Sequence, residues 1–210
     1  MNRDELDRFA ELMSKPGPEE EAFFARRQAL CLGSGIDENG RLVKQKGPVF
    51  IDFEASSLSE NSWPIEVGLA WLEGKRVVVE SKLIQPRPEW LESDWNMESE
   101  AVHGIPRSDL EAGETADDVA SWLLREAENG LLVSDAPPFD QQWLDRLLGQ
   151  PGPRIANVDD VFRGAFSSEG CVSPGRLHRA YRNMRNRPTE HRAGPDAANL
   201  AYAWRAGIGT

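Results

Sequence analysis

The hydrophobic pattern from about residue 48 onward predicts five strands. Residues 48–56 form an apolar, β-branched run that ends at a Ser-rich turn, which is typical of a buried strand. Residues 64–71 and 76–84 predict two more strands joined by a tight turn, and the three together form an antiparallel meander. Residues 130–134 and 155–158 predict two further short strands.

Helical periodicity alternates with the later strands. It predicts helices over residues 116–127, 139–148, 174–184 and 195–205, and leaves residues 86–107 as an irregular, Trp-bearing segment. Three antiparallel strands followed by strand–helix units are typical of an α/β domain. The sequence therefore predicts a mixed five-stranded sheet flanked by helices.

Residues 1–47 have a different pattern. Residues 4–13 and 19–30 predict two amphipathic helices, and residues 33–47 predict a polar loop or short hairpin. We therefore predict a helical N-terminal extension over residues 1–47 and a single domain over residues 48–210. The extension is interpreted as an arm that packs on the domain or on a second copy, so a homodimer is an open alternative.

The amino-acid composition limits the kinds of molecule that we expect this protein to bind. The chain has 210 residues, of which 40% are hydrophobic, with seven Trp and eight Phe, enough to build a core. It carries 35 Asp and Glu against 24 Lys and Arg, a net charge of −11, which argues against sequence-independent binding to long duplexes. A short or single-stranded nucleic acid held at a local basic patch with metal ions remains compatible with this charge.

Other features of the sequence bear on the cellular compartment in which the protein is found. Cys31 and Cys171 are far apart and form no closely spaced pair, which argues against a zinc site or a disulfide framework and favours a reducing cytoplasm. The N-terminus is acidic and lacks an apolar segment, so we expect no signal peptide. No apolar run approaches the length of a membrane span, so we expect no membrane association.

Two acidic residues stand at the end of the first core strand. Asp52 and Glu54 are two residues apart, so their side chains project on the same side of the strand. Like charges repel each other, burial increases the cost, and a hard divalent cation removes it. Taken alone, this stretch favours the simpler interpretation that the strand has reached solvent.

Further acidic positions follow along the chain. Asp140 lies where a strand ends, a Pro-rich turn follows and a helix begins, and neighbouring aromatic and aliphatic residues would anchor that helix. His191 lies in a loop just before the last helix. Asp196 lies in the first turn of that helix, because Pro195 suits a helix start.

These three segments resemble the three motifs of the DEDDh family of 3′–5′ exonucleases, which are DnaQ-like and have a ribonuclease H-like fold. The first motif, Asp-x-Glu, is matched by Asp52 and Glu54. The second, Phe-Asp at the start of an apolar helix, is matched at Asp140, and the third, His and Asp five positions apart, by His191 and Asp196. The resemblance covers roughly residues 48–204.

The match has one further point of agreement and one departure. The segment ending in His103, Gly104 and Ile105 looks like the His-Gly-Ile segment between the first two motifs of the family. The turn before Asp140 contains Asp135, where the family often has His-Asn. Asp135 is therefore an alternative metal ligand, although an Asx turn is the simpler role.

The resemblance implies a metal-dependent enzyme that hydrolyses single-stranded or short DNA or RNA from the 3′ end and releases nucleoside monophosphates. Two Mg²⁺ or Mn²⁺ ions would be bridged by Asp52. Glu54 and Asp196 would complete one ion site, and Asp140 would support the other. His191 would act as general base, since the ordinary pKa of histidine is about 6.5. We assign His103 a structural role.

The resemblance also implies substrate contacts. The residues after the first motif contact the 3′-terminal nucleotide in the family, and Ala55, Ser56, Ser57 and Leu58 occupy these positions. We predict backbone and hydroxyl contacts to the terminal sugar from the two serines, and a wedging role for Leu58. Arg192, next to His191, is also assigned to substrate binding.

Arginines are concentrated in one segment of this acidic chain. Three of them step by three residues along one side of a predicted helix. They could lead a single strand to the metal ions, or they could form an exposed face that makes salt bridges with the acidic surface. The segment contains Arg176, Arg179, Arg182, Arg185, Arg187 and Arg192.

Two other functions remain open on the sequence. One is a catalytically silent nucleic-acid-binding module of the same fold, although such a module has no need of four clustered acids. The other is a hydrolase of small phosphodiesters or dinucleotides. The sequence leaves open the choice between ribose and deoxyribose and the cellular pathway.

Overall fold

The computed structural model describes residues 34–36, 42–44, 47–168 and 171–209. The helices predicted over residues 4–13 and 19–30 lie outside the described residues, and the domain boundary at residue 47 stays a prediction. Strands β1 (Ser34–Ile36) and β2 (Leu42–Lys44) pair antiparallel ahead of the first core strand. This agrees with the short hairpin that was one of the two predictions for residues 33–47.

A six-stranded mixed sheet forms the centre of the fold, with the strand order β6-β5-β4-β3-β7-β8. Strands β3, β4 and β5 form the predicted antiparallel meander, and β7 runs parallel to β3. Strands β6 and β8 pair parallel to β5 and β7 at the two edges. The six strands are β3 (Gly47–Ala55), β4 (Pro64–Glu73), β5 (Arg76–Gln85), β6 (Glu114–Thr115), β7 (Gly130–Ser134) and β8 (Ala156–Asn157).

The predicted fold class is confirmed, and all five predicted strands are present. The sheet gains a sixth strand, β6, which the sequence did not indicate. It has only two residues, paired with Ile84 and Gln85 at the end of β5. A strand of two residues is too short to show an alternation of apolar and polar positions in the sequence. Strand β6 forms only because it pairs with β5 in the folded protein.

Among the described residues, six α-helices flank the sheet. The predicted helices correspond to α2, α3, α5 and α6, whereas α1 and α4 were not predicted. Strands β9 (Ser167–Ser168) and β10 (Cys171–Val172) form a small antiparallel pair between α4 and α5. The helices are α1 (Met97–His103), α2 (Ala116–Ala127), α3 (Pro137–Leu148), α4 (Val158–Ala165), α5 (Pro174–Arg185) and α6 (Ala193–Ile208).

The two helices missed by the sequence analysis are short and depend on their caps. The side chain of Asn96 accepts the amide of Glu98 at the start of α1, which ends at Gly104 with a φ of 65°. Asn157 caps α4 in the same way through the amide of Asp159. Each helix has only two turns, too few to establish a 3.6-residue period. Residues 86–107 were therefore wrongly predicted to be irregular throughout.

Hydrophobic residues cover both faces of the sheet. Alternate residues of β3 divide between the two faces, so that Ile51 and Phe53 pack with α2 and α3 while Phe50 packs on the opposite face. Ring centroids of Phe50 and Trp204 of α6 lie 6.4 Å apart. Helix α6 therefore covers the face of β3 on which Phe50 lies.

Helix α6 can approach β4 closely because Gly68 has no side chain. A Cβ atom at Gly68 would lie 2.1 Å from the carbonyl oxygen of Ala193, well inside van der Waals contact. This contact places the first turn of α6 directly over the sheet, next to the end of β3. Among the described residues, no helix combines the length and the apolar character needed to cross a membrane.

Candidate metal centre and active site

The site is built on the last residues of β3. Asp52 and Glu54 flank the buried Phe53, and each is partly exposed while its neighbours in the strand are buried. Because side chains alternate along a strand, both carboxylates project from the same face as Phe50. This is the face that α6 covers, so the carboxylates lie between the sheet and that helix.

The first turn of α6 adds a third carboxylate. Asp196 follows Pro195 in this helix, as predicted, and is partly buried. One carboxylate oxygen from each of Asp52, Glu54 and Asp196 lies within 4.8 Å of the other two. Three converging carboxylates provide the oxygen ligands that Mg²⁺ and Mn²⁺ prefer.

The electrostatics of the cluster favour a cation. Burial raises the pKa of Asp52 well above its ordinary value, and the negative charges of Asp140 and Glu54 raise it further. Burial, followed by the charge of Asp196, raises the pKa of Glu54 to about 8. A carboxyl group with a pKa of about 8, as at Glu54, holds a proton at neutral pH unless a nearby positive charge replaces that proton. The residues present therefore fit a hard divalent ion.

Asp140 lies close to this cluster but has its own hydrogen bonds. It lies in the first turn of α3, which begins with two prolines, and its side chain is 2% exposed. The hydroxyl of Ser134, at the end of β7, donates to its carboxylate. Burial raises the pKa of Asp140 to about 7, and the hydrogen bond from Ser134 opposes this rise. Asp140 is outside the three-carboxylate cluster but lines the same cleft.

His191 lies in the loop between α5 and α6 and is exposed. Its φ is 50°, a left-handed conformation that is uncommon for a residue other than glycine. The amide of the preceding Glu190 donates to Asp196 at 3.2 Å, so the loop and the cluster are joined directly. His191 lines the cleft together with the carboxylates.

Asn199 connects this loop to α6, and the sequence analysis missed it. Its side-chain amide donates to the carbonyl of Pro188 at 3.0 Å and to Asp196 at 3.4 Å. It lies one turn after Asp196, on the same side of the helix. A polar residue one turn after a predicted ligand is the signal that could have identified it.

Arg192, predicted to bind substrate, makes a two-point contact with Glu66 of β4. Its Nη2 lies 2.7 Å from Oε1 and its Nε 2.9 Å from Oε2 of that residue. Glu66 is 2% exposed and also accepts the amide of Ala193, the first residue of α6, at 3.0 Å. Substrate binding by Arg192 stays a prediction, and its contact in the structure anchors α6 to the sheet. Glu66, which the sequence analysis does not single out, stands among the apolar residues 64–72 of β4, and this position was the sequence signal for it.

The cleft has a volume of about 320 Å³ and an apolar rim. Leu58 is 73% exposed and Phe139 is 43% exposed, and both line the cleft. The sequence analysis left Asp135 open as a ligand, and it lines the same cleft outside the three-carboxylate cluster. The structure therefore gathers Asp52, Glu54, Leu58, Asp135, Asp140, His191 and Asp196 around one opening.

A second pocket of about 330 Å³ adjoins the cleft and shares Glu54 and Leu58 with it. Ala55 and Ser57 also line this pocket. Ser56 is completely buried and its hydroxyl accepts the amide of Trp63, so in the structure this hydroxyl holds the turn. A sugar contact from Ser56 stays a prediction.

His103 forms part of the wall of the adjoining pocket. Its Nδ1 accepts the amide of Ile105 at 3.0 Å, in keeping with the structural role predicted from the sequence. Its Nε2 is buried without a hydrogen-bond partner among the described residues. Burial lowers the pKa of this imidazole, which favours the neutral form.

One of three comparisons with known proteins, that with solved structures, supports the fold. No protein-family model matches the sequence, and a search of curated proteins finds no match. Among solved structures, a full-length 3′-exonuclease matches with a TM-score of 0.52 and 12% identity over 78% of this chain. The match spans 63% of that protein, less than two thirds of its length.

Two further structures have the same fold. One is a 3′-exonuclease described by its 3′-end specific recognition of a histone mRNA stem-loop, with a TM-score of 0.52, 12% identity and coverage of 75% of this chain and 79% of that chain. The other is the RNase domain of the yeast Pop2 protein, with a TM-score of 0.50, 12% identity and coverage of 89% and 80%. At such low identity these matches show the fold alone.

Proposed function

We propose that this protein is a metal-dependent 3′–5′ exonuclease of the DEDDh type, acting on single-stranded or short nucleic acid. The observation that carries the proposal is the convergence of Asp52, Glu54 and Asp196 within 4.8 Å, on a fold shared with exonuclease and RNase domains. The buried Asp140 and the exposed His191 on the same cleft complete the set.

Each residue of the set has a role that its position supports. Asp52, Glu54 and Asp196 would hold one divalent ion, and Asp140, which lines the same cleft, would help to hold a second. When bound, two such ions supply Lewis acidity at the scissile phosphate and lower the pKa of the attacking water. His191 accepts a proton from that water, and its place in an exposed loop lets the proton pass on to solvent. Ser134 keeps the carboxylate of Asp140 oriented.

The apolar rim of the cleft positions the 3′ end of the substrate. The 3′-terminal nucleotide occupies the pocket beside the cleft, lined by Ala55, Ser57 and Leu58. Leu58, which is 73% exposed, packs against the terminal base and separates it from the next one. The scissile phosphate then lies over the carboxylates. Hydrolysis there releases a nucleoside monophosphate and leaves a new 3′ hydroxyl.

The polarity and metal dependence can be tested with labelled strands. RNA and DNA 20-mers carrying a label at either end are incubated with Mg²⁺, Mn²⁺ or a chelator. We expect a 5′ label to mark a ladder that shortens one nucleotide at a time, and a 3′ label to appear at once as a mononucleotide. Asp52→Asn should lose this activity, whereas Asp109→Asn, a change at an exposed acid outside the cleft, should keep it.

The same assay separates the alternatives. Activity that persists in chelator, or that starts from the 5′ end, contradicts the proposal. Binding of the strands without shortening in either ion favours a silent binding module. Efficient hydrolysis restricted to dinucleotides favours an enzyme for small phosphodiesters. The cytoplasmic location and the homodimer stay predictions.

A further inference from the structure

Helix α5 presents a continuous positive surface in an acidic protein. Arg176, Arg179, Arg182 and Arg185, here called the arginine face, are all exposed, and Ala180 on the opposite side is buried in the core. Residues 174–192 contain six arginines and a single acid, in a chain of net charge −11. Positive charge is therefore concentrated on this helix and in the loop that follows it.

The arginine face is not neutralised by the acidic surface. In residues 47–168 and 171–209, no carboxylate lies within 4.0 Å of Arg176, Arg182 or Arg185. Several arginines elsewhere in the described residues are paired with carboxylates, as in the contacts of Arg87 with Asp117 and of Arg107 with Glu92. The salt-bridged surface considered in the sequence analysis is thus absent from these three positions.

The arginine face also has a direct connection to the cleft. Met184, in the last turn of α5, and Arg187, just after it, line the cleft that holds the carboxylates. The guanidinium of Arg187 lies 3.9 Å from the ring centroid of Tyr202 on α6, which fixes it at that edge. Positive charge therefore continues from the outer surface of α5 to the site.

We propose that the arginine face binds the backbone phosphates of nucleotides upstream of the scissile bond, so that the substrate is a single-stranded polynucleotide rather than a dinucleotide. The proposal rests on the proposed function and adds the substrate class. Nine residues of helix separate Arg176 from Arg185, a rise of about 13 Å. At about 3.4 Å per phosphate in a stacked strand, this axial length corresponds to about four phosphates, although the four arginines are spread over about half of the helix circumference.

A charge-matched pair of variants tests the proposal. The first combines Arg176→Gln, Arg182→Gln and Arg185→Gln. The second removes the same charge through Lys75→Gln, Arg76→Gln and Arg125→Gln. Lys75 and Arg76 lie at the turn between β4 and β5, and Arg125 lies near the end of α2. The strand register places both regions at the end of the sheet opposite the site. Circular dichroism and thermal melting confirm that both variants fold.

Binding is measured by fluorescence polarisation of a labelled single-stranded 20-mer at several salt concentrations. The logarithm of the affinity falls linearly with the logarithm of the salt concentration, and each lost phosphate contact reduces the steepness of this line by about 0.7. Loss of three contacts should therefore lower the slope by about 2 and weaken binding about a hundredfold at about 0.1 M salt. The control variant should bind as the wild type does. Equal binding by the two variants, or an unchanged slope in the first, overturns the proposal.

The kinetic test uses kcat/KM for a 20-mer relative to a dinucleotide. The wild type should prefer the 20-mer, and the arginine variant should lose most of that preference. A wild type that hydrolyses the dinucleotide as efficiently as the 20-mer overturns the inference while the proposed exonuclease chemistry stands. Conversely, arginine-dependent binding of a 20-mer that is never shortened supports the binding surface and refutes the proposed activity.

Discussion

Removing the charge of Glu54 should make the metal-free protein more stable and should abolish the proposed nuclease activity. Burial and the charge of Asp196 raise the pKa of Glu54 from 4.5 to about 8. The folded protein therefore retains a proton that the unfolded chain releases, and the free energy of unfolding falls as the pH rises between these two values. Glu54→Gln removes this ionisation and keeps the shape of the side chain.

The magnitude follows from the pKa difference. Each pKa unit corresponds to about 1.4 kcal/mol, which gives an upper limit of about 5 kcal/mol for a fully buried group. Glu54 is partly exposed and solvent screens part of this interaction, so we expect about 2 kcal/mol. For a protein of this size that is a rise in Tm of about 4–8 °C. The effect should be present at pH 8 and nearly absent at pH 5, where the carboxyl group in the folded protein is already protonated.

The assay is thermal unfolding of wild type and Glu54→Gln at pH 5 and pH 8, in chelator and in Mg²⁺ or Mn²⁺. A bound ion at a hundred times its Kd stabilises the wild type by about 2.7 kcal/mol, and the variant should gain less. Glu111→Gln, a change at an exposed acid, controls for the loss of one negative charge. Equal Tm values for wild type and Glu54→Gln at pH 8 in chelator would refute the reasoning, because the cluster would then carry no repulsion.

Three further predictions concern the supports of the site. Ser134→Ala removes the hydroxyl that donates to Asp140, so the pKa of that carboxyl should rise above about 7 and the acidic limb of the pH–rate profile should move to higher pH. An unchanged profile would contradict this coupling. Gly68→Ala places a Cβ atom 2.1 Å from the carbonyl oxygen of Ala193, so we expect a fall in Tm together with weaker metal binding by calorimetry. A Tm and a metal affinity equal to those of the wild type would refute the close packing of α6 on β4. Asn199→Ala removes the hydrogen bond to Pro188 that holds the loop before α6, so kcat should fall by a larger factor than KM rises. Asn199→Asp should restore little of the lost kcat. If kcat falls only in proportion to the fraction of the variant that is folded at the assay temperature, the effect is one of stability alone.

The sequence predicted the sheet and the positions of the clustered carboxylates because these depend on local patterns. Alternation along residues 48–56 places Asp52 and Glu54 on one face whatever the rest of the chain does. The proline before Asp196 predicts a helix start, and the structure has one there. Residue type and local periodicity were sufficient for these features.

The missed features all depend on contacts between distant segments. Glu66 accepts hydrogen bonds from Arg192 and Ala193, more than 120 residues later in the chain. Strand β6 exists only through its pairing with β5. Whether Arg176, Arg182 and Arg185 pair with carboxylates likewise depends on which acids lie nearby in the folded chain. Sequence spacing contains no such information, so these features became visible only in the folded chain.

The acidic cluster is held together by contacts that leave the carboxylates little freedom to separate. Strand β3 is bordered by β4 and β7, and α6 is fixed on β4 through Gly68 and Glu66. Asp196 can move away from Glu54 only by breaking those contacts. Burial and repulsion therefore raise the pKa values of Asp52 and Glu54, and either protonation or a bound cation relieves the repulsion. Exposed acids that are free to move would separate into solvent instead, whereas these three are held in an arrangement that fits a metal ion.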